Sequence, residues 1–404
     1  MAITKIEVPE LFDFGSDNSA FKLPTGTTAE RPTSPSNGEM RFNTTTGYVE
    51  YYDTTDTQWW EIDYAPILSS DNFNTVAYAG NGGTQAITTG FTPDLVWTKQ
   101  RSSPSRDHLL NDSVRGANKI LYPNLSNSED TAGGVGSAYF NSFDSNGFTV
   151  GSSNYYNGSS LDYVAWSWKA GGAAVSNTDG SITSQVSANV DAGFSISTFT
   201  SNASTLTVGH GLNSTPDLVI VKATSFSDSW FVNSSALTNQ TDRALRLNES
   251  SAEETSNAFW NNTAPTSTTF SLGNGVSVSG QSYVAYSWHS VAGYSKIGSY
   301  TWTGTSYTAG TMVTGLGFEP SFVMIKGISL TSDWQMYDNK RVSGTQSYAL
   351  YADLSDAEVT SGYQGIGFDS DGFSAIVGAD GNTTASGGLN KNGETYIYMA
   401  FAAN

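Results

Sequence analysis

Thr92-Pro-Asp-Leu-Val-Trp-Thr-Lys99 is the first of three copies of one stretch. The second is Thr215-Pro-Asp-Leu-Val-Ile-Val-Lys222, and the third, more diverged, is Glu319-Pro-Ser-Phe-Val-Met-Ile-Lys326. In each, a proline opens an apolar run that closes on a lysine. Each also follows a glycine-containing turn: Thr89-Gly90, Gly211-Leu-Asn213 or Gly315-Leu-Gly317. Proline is tolerated at the first position of a strand. A short apolar run between turn signals reads as a strand, here the central one of a β-domain.

The surroundings of the stretch repeat with it. Phe73-Asn-Thr-Val-Ala-Tyr78, Phe194-Ser-Ile-Ser-Thr-Phe199 and Tyr294-Ser-Lys-Ile-Gly-Ser-Tyr300 open the three copies. Tyr163-Val-Ala-Trp-Ser-Trp168, Tyr283-Val-Ala-Tyr-Ser-Trp288 and Tyr396-Ile-Tyr-Met-Ala-Phe401 close them, the last at the end of the chain. From motif proline to closing tyrosine the distance is 70, 67 and 76 residues. Phe143-Asp-Ser-Asn-Gly-Phe148 and Phe368-Asp-Ser-Asp-Gly-Phe373 stand 50 and 48 residues after their prolines. Trp230 and Trp334 each fall fourteen after theirs, and His108 falls fifteen after its own. Lys119-Ile-Leu-Tyr122 reads as one more strand of the first copy. Repeats of about a hundred residues are whole domains, since solenoid units are much shorter.

Composition agrees with an all-β chain. Its 404 residues carry many Ser, Thr, Asn and Gly together with 21 Tyr, 20 Phe and 10 Trp. The first group favours turns over helix interiors, and aromatic residues and threonine favour strands. The expected fold is a small N-terminal three-stranded meander followed by three related β-sandwich domains. The expected boundaries are 1–70, 71–172, 173–292 and 293–404.

The net charge is −19. Nucleic-acid binding needs clustered Lys and Arg, so that partner is not expected, nor is an anionic membrane surface. There are no cysteines and hence no disulfide scaffold. No apolar run is long enough to span a bilayer, and Met1-Ala-Ile-Thr-Lys-Ile6 lacks a signal core. Synthesis in the cytoplasm, with exit by assembly or lysis, is the expectation.

In the N-terminal segment, Glu39–Asn43, Tyr48–Tyr52 and Gln58–Ile62 form the meander. It is too small for a core of its own, so burial must come from other chains or the next domain. Leu11, Phe12, Phe14, Trp59 and Trp60 are its candidate docking or oligomer contacts. The elements Gly26-Thr-Thr-Ala-Glu-Arg-Pro32, Asn37-Gly38, Arg41-Phe-Asn43 and Tyr48-Val-Glu50 resemble, in that order, a short module of tailed-bacteriophage tail fibres. Residues 72–404 are similar to a repeated β-domain family of phage tail proteins. That similarity is carried by Asn177–Ser184, Gly209-His-Gly-Leu212, Tyr283–Tyr286, Tyr294–Tyr300, Phe322–Lys326 and Tyr396–Phe401. The resemblance implies a virion structural protein, a fibre or adhesin, that is often trimeric. Its implied partners are other tail proteins and a host-surface glycan or protein, and it brings no catalytic motif. The rival expectations are a head or collar decoration or tail adaptor, and a host-polysaccharide hydrolase.

Chemistry is sparse. His108, His210 and His289 occupy unrelated positions and offer no zinc spacing. Neither a P-loop nor a nucleophile elbow is present. Glu253-Glu254 and Asp353, Asp356 and Glu358 could supply a glycosidase pair. In so acidic a chain, however, adjacent carboxylates read as solvated surface. No cofactor is expected. Asp144-Ser-Asn146 and Asp369-Ser-Asp371 place oxygen ligands for calcium two apart beside a glycine, but they read as plain turns, because the full EF-hand pattern is missing. Lys99, Lys222 and Lys326 are expected to pack their stems and leave their ammonium groups in water. The receptor-contact candidates are Tyr155 and Tyr156, on a loop, with Trp230 and Trp334.

Overall fold

The computed structural model describes residues 23–62, 69–134, 136–343, 346–358, 365–376 and 389–402. The chain forms two compact units, Met1–Pro66 and Ile67–Asn404.

In the first unit, Met40–Asn43, Tyr48–Asp53 and Gln58–Ile62 form the expected antiparallel meander. Thr25–Gly26 adds a fourth, parallel strand. The faces of this sheet are reversed from the usual arrangement. Glu50 is fully buried and holds Arg31 and Arg41 in ion pairs, with Asn43 donating to its Oε2 at 3.0 Å. Burial would raise its pKa, but these donors outweigh that and leave it lowered. Arg41 also donates to the Glu30 and Thr27 carbonyls, tying down the 26–31 loop. The recurring arginines, asparagine and glutamate of this module are therefore its polar core. Tyr52 and Trp59 share the Glu50 face, with Arg41 over the Trp59 ring, and the other face is mainly apolar. Met40, Tyr51 and Trp60 sit opposite one another across the three strands, with Phe42 and Val49 beside them. Met40 and Trp60 are each 43% exposed.

In the second unit each repeat is a sandwich of two antiparallel sheets. The motif strands are Leu95–Gln100, Leu218–Ala223 and Pro320–Gly327. Each pairs on one side with its closing strand: Asp162–Trp168, Ser282–Trp288 or Thr395–Ala402. On the other side each pairs with a following strand: Leu109–Asp112, Phe231–Ser234 or Gln335–Asp338. The opening strands, Phe73–Ala79, Phe194–Thr200 and Ser295–Thr301, lie outside the closing strands. The second sheets are built around Phe140–Asp144 with Gly147–Val150, Leu206–Gly209 with Thr269–Leu272, and Gly365–Asp369 with Gly372–Ile376.

The motif residues have local jobs. Gly90, Gly211 and Gly315 have positive φ and turn the chain into the strand. Asp94 accepts from Ser113 Oγ and the Ala170 N–H, and Asp217 from Ser235 Oγ and the Ser290 N–H. Each aspartate thus staples the start of the motif strand to the residue beyond the closing strand. In the third repeat Ser321 replaces it and donates instead to the Ala402 carbonyl. The closing tyrosines repeat as well. Tyr163, Tyr283 and Tyr396 each accept an N–H from five residues upstream. Each also stacks on an aromatic residue of the opening strand, at 5.3, 5.4 and 5.2 Å.

Among the described residues four hydrophobic clusters fill the unit. Three lie between the two sheets of one repeat each. The fourth joins all three repeats: the outer faces of the motif and closing strands, including Trp97, Trp166, Ile220, Tyr286, Met324 and Met399, meet in one shared core. A void of about 10 Å³ within it is lined by apolar side chains, too small and too apolar to hold water. These strands are therefore buried on both faces, as the unbroken apolar runs require. The ring closes where Phe73 stacks on Phe401 at 4.8 Å and Ser69 donates to the Ala402 carbonyl.

Candidate functional site

The repeats meet at three equivalent joints, and the repeated lysines lie in them. Residues 122–130, 246–254 and 351–358 act as straps, each laid over the next repeat. The strap of repeat one crosses repeat two, that of two crosses three, and that of three crosses one. Lys222 Nζ donates to the Ser126 carbonyl of the strap and to its own Asp228 carbonyl. Lys326 Nζ donates to Ser250 and Ser251, and Lys99 Nζ to Ser355 and Arg106. The backbone N–H groups of Glu129, Glu253 and Glu358 return the contact to Thr224, Ile328 and Arg101.

These lysines were expected to reach solvent. Instead all three residues are fully buried, and burial lowers each pKa to about 8. The strap carbonyls, aimed into the joint, take the place of water. Lys119–Tyr122 was expected to be a strand but makes only isolated bridges, because from Tyr122 onward the chain turns its carbonyls to repeat two.

Trp230 and Trp334 are corrected by the same geometry. Both are buried, and their indole N–H groups donate across the joint, Trp230 to the Tyr122 and Leu125 carbonyls and Trp334 to Arg246. They hold repeats together and cannot reach a receptor. His108 takes their place in repeat one, with Nε2 2.9 Å from the Tyr351 carbonyl. Burial holds His108 well below the usual histidine range. Its folded pKa is depressed, so its contribution to stability is present above about pH 6.5 and is lost as pH falls below it. In urea titrations, the wild-type chain should lose up to about tenfold in its folded-to-unfolded ratio per pH unit below that point, relative to His108→Gln.

Two joints also carry a buried ion pair. Asp112 pairs with Arg115 at 2.5 Å and accepts from the Tyr286 hydroxyl of repeat two at 2.6 Å. Asp338 pairs with Arg341 at 2.6 Å and accepts from Trp166 of repeat one at 3.0 Å. At the matching positions repeat two has Ser234 and Leu237. The sequence reading missed these pairs, although the shared Asp-x-x-Arg spacing in repeats one and three was a visible signal.

The proposed acid pairs are engaged elsewhere. Glu358 is held by Arg341 and Arg101, Glu253 by Arg243, and Glu254 by Arg246. Glu253 and Glu358 are therefore largely covered parts of the straps, whereas the Glu254 side chain stays 36% exposed and Asp356 is exposed, as a solvated surface requires. Of the calcium candidates, Asp144 and Asp369 close their own hairpins and Asp371 holds the turn before the motif strand. Asp144 accepts from Ser142 and Thr149, Asp369 from Ser374, and Asp371 from the Gly315 and Gly317 N–H groups. A Cβ at Gly147 or Gly372 would collide with the carbonyl of the neighbouring strand, Ile87 or Val313. That close approach explains the glycine. Among the described residues no group of three or more His, Cys, Asp or Glu could hold a metal ion.

The Tyr155–Gly158 loop is corrected in part. Tyr156 is fully buried, with its hydroxyl on Asn111 at 2.7 Å, and cannot make an external contact. Tyr155 is half-buried under the Arg106 guanidinium, 4.9 Å from its ring. It lines an open groove of about 560 Å³ beside the strap of repeat one. Tyr122, Asp107, Asp130, Asn127 and Ser227 of repeat two share the groove. Aromatic edges beside carboxylate and amide groups suit a hydroxyl-rich ligand. In the N-terminal unit Trp59 packs on Tyr52 while Trp60 is exposed; Leu11, Phe12 and Phe14 lie outside the described residues.

The second unit is thus a body of three β-sandwich repeats locked by reciprocal straps. Residues 68–404 match the family described as "Domain of unknown function (DUF7483)", and the chain belongs to that family. No curated protein and no solved structure matches it. Among the described residues no helix is long and apolar enough to cross a membrane.

Proposed function

We propose that the chain is a structural virion protein of the tail-fibre or adhesin type. In this reading the N-terminal unit attaches it to the particle and the three-repeat body contacts a host-surface glycan or protein. The observation that carries the proposal is the reversed N-terminal sheet. A sheet with a polar interior and Met40, Phe42, Val49, Tyr51 and Trp60 on its open face gains burial by docking. The bacteriophage-fibre resemblance of Gly26–Glu50 supplies the kind of particle. In this reading the glycan is taken by the Tyr122–Tyr155 groove, whose lining of tyrosines, carboxylates and an amide supports it.

The test is particle assembly with a tagged chain. Label is expected on the tail, and Trp60→Ser with Met40→Ser is expected to abolish incorporation while the purified body stays folded. Label on the head or collar, or incorporation unaffected by the double substitution, would count against the proposal. Binding of the purified body to host cells, reduced at least tenfold by Tyr122→Ala, would support receptor contact.

A further inference from the structure

The three joints share one more position, and repeat three departs from the pattern there. Asn124 Oδ1 accepts the His108 N–H at 3.0 Å, and Asn248 Oδ1 accepts the Trp230 N–H at 2.8 Å. In repeat three the same contact, to the Trp334 N–H at 2.9 Å, is made by Asp353. In repeat one the spare amide hydrogens of Asn124 reach Asp107, the residue before His108. The residue before Trp334 is likewise an aspartate, Asp333, which is in side-chain contact with Asp353. Asp353 is only 7% exposed, and among the described residues its Oδ2 is buried with no donor from any other group. An amide supplies the hydrogen between these positions in repeat one. Two carboxylates have none to supply unless one of them is protonated.

We propose that Asp333 and Asp353 hold one proton between them, and that this proton is a switch on the joint between repeats two and three. Asp353 fixes the backbone of Trp334, whose indole N–H rests on the Arg246 carbonyl of the strap. Two residues before Trp334, the Ser332 N–H rests on the Ser250 carbonyl of the same strap. With the proton in place the carboxyl pair imitates the Asn–Asp pair of repeat one. Without it, two like charges face each other beside these contacts.

The surrounding charges partly oppose one another. From the motif strand Lys326 favours the carboxylate forms, and from the strap of repeat three Asp356 disfavours them at Asp333. The strap of repeat two presents the Ser250 and Ser251 carbonyls, which Lys326 already occupies, while its Arg246 turns to Glu249 and Glu254. Burial, helped by Asp333, pushes Asp353 up to about 7, and burial raises Asp333 too. A carboxyl whose folded pKa is raised contributes stability below the ordinary carboxylate range, and that stability is lost as pH rises towards the folded value. The joint is therefore tight in acid and loosened near neutral pH.

The test uses the full chain labelled with carbon-13 at aspartate, together with Asp353→Asn and Asp333→Asn. In the wild type the Asp353 carboxyl resonance should titrate near pH 7. The folded-to-unfolded ratio of the wild type, relative to either variant, should fall by up to about tenfold per pH unit between about pH 4 and pH 7 and then level off. Exchange of the Trp334 indole N–H, corrected for the intrinsic rate, should rise over the same range in the wild type alone. Titration of Asp353 in the ordinary carboxylate range near pH 4, or variants with the wild-type pH profile, would overturn the proposal. Should one variant fail to fold, the other and the wild-type titration still decide it.

Discussion

Arg341→Met is expected to destabilise the three-repeat body by about 3–5 kcal/mol, read as a lower urea midpoint at an unchanged slope. The guanidinium is fully buried and makes three kinds of contact. It pairs with Asp338 at 2.6 Å, pairs with Glu358 at 2.8 Å, and donates to the Tyr348 and Met336 carbonyls. Removing it strands Asp338, a buried carboxylate that also holds Trp166 of repeat one. The cost comes from leaving a charge uncompensated, and the chain contains its own control. Repeat two fills the matching positions with Ser234 and Leu237 and remains buried there. The double substitution Asp338→Ser with Arg341→Leu is therefore expected to recover more than half of the loss. A double variant no better than Arg341→Met would show that the pair itself, and not the stranded charge, sets the cost.

The second large effect is expected at Trp230. Trp230→Ala should cost about 3–5 kcal/mol. The side chain is fully buried in the shared core, lies under the Lys222 ammonium at 6.0 Å, and donates to two carbonyls of repeat one. Truncation opens a cavity at the joint and leaves the Tyr122 and Leu125 carbonyls without their indole donor. The loss should not stay in repeat two, because the strap it anchors belongs to repeat one. Limited proteolysis of this variant should cut the 122–130 segment faster than in the wild type.

The parts of this fold that depend on local chemistry were legible in the sequence. The motif strands were marked by a proline at entry, a glycine turn before it and an apolar run. The closing strands were marked by period-two aromatic residues. The three-fold repetition followed from the recurring stretch and its regular spacing. Burial was legible only in part, because Trp166, Trp168 and Trp288 alternate with small residues in a way that fits one solvated face as well as none. The other face is covered by a neighbouring repeat, a fact that no local pattern carries.

The same blindness explains the lysines, Trp230 and Trp334. A lysine at a strand end usually reaches water, and an aromatic residue after a polar loop suits an external contact. Here both meet the carbonyls of a strap contributed by residues between 75 and 256 positions away. The groove at Tyr155 was half legible. Its loop was visible, but which of the two adjacent tyrosines turns inward is decided by the Asn111 side chain waiting for Tyr156. In the N-terminal unit the recurring Arg, Asn and Glu were visible as a pattern. Their convergence on one buried carboxylate, which leaves the apolar face outside, was not.

The central claim is that three β-sandwich repeats form one cooperative body, closed by straps that run from each repeat onto the next. Native-state hydrogen exchange on the full chain, wild type against Trp230→Ala, tests it most directly. The claim predicts that the slowest amides of all three motif strands, Leu95–Gln100, Leu218–Ala223 and Pro320–Gly327, lose protection by the same free energy. Loss confined to repeat two, with Leu95–Gln100 and Pro320–Gly327 as protected as before, would contradict it.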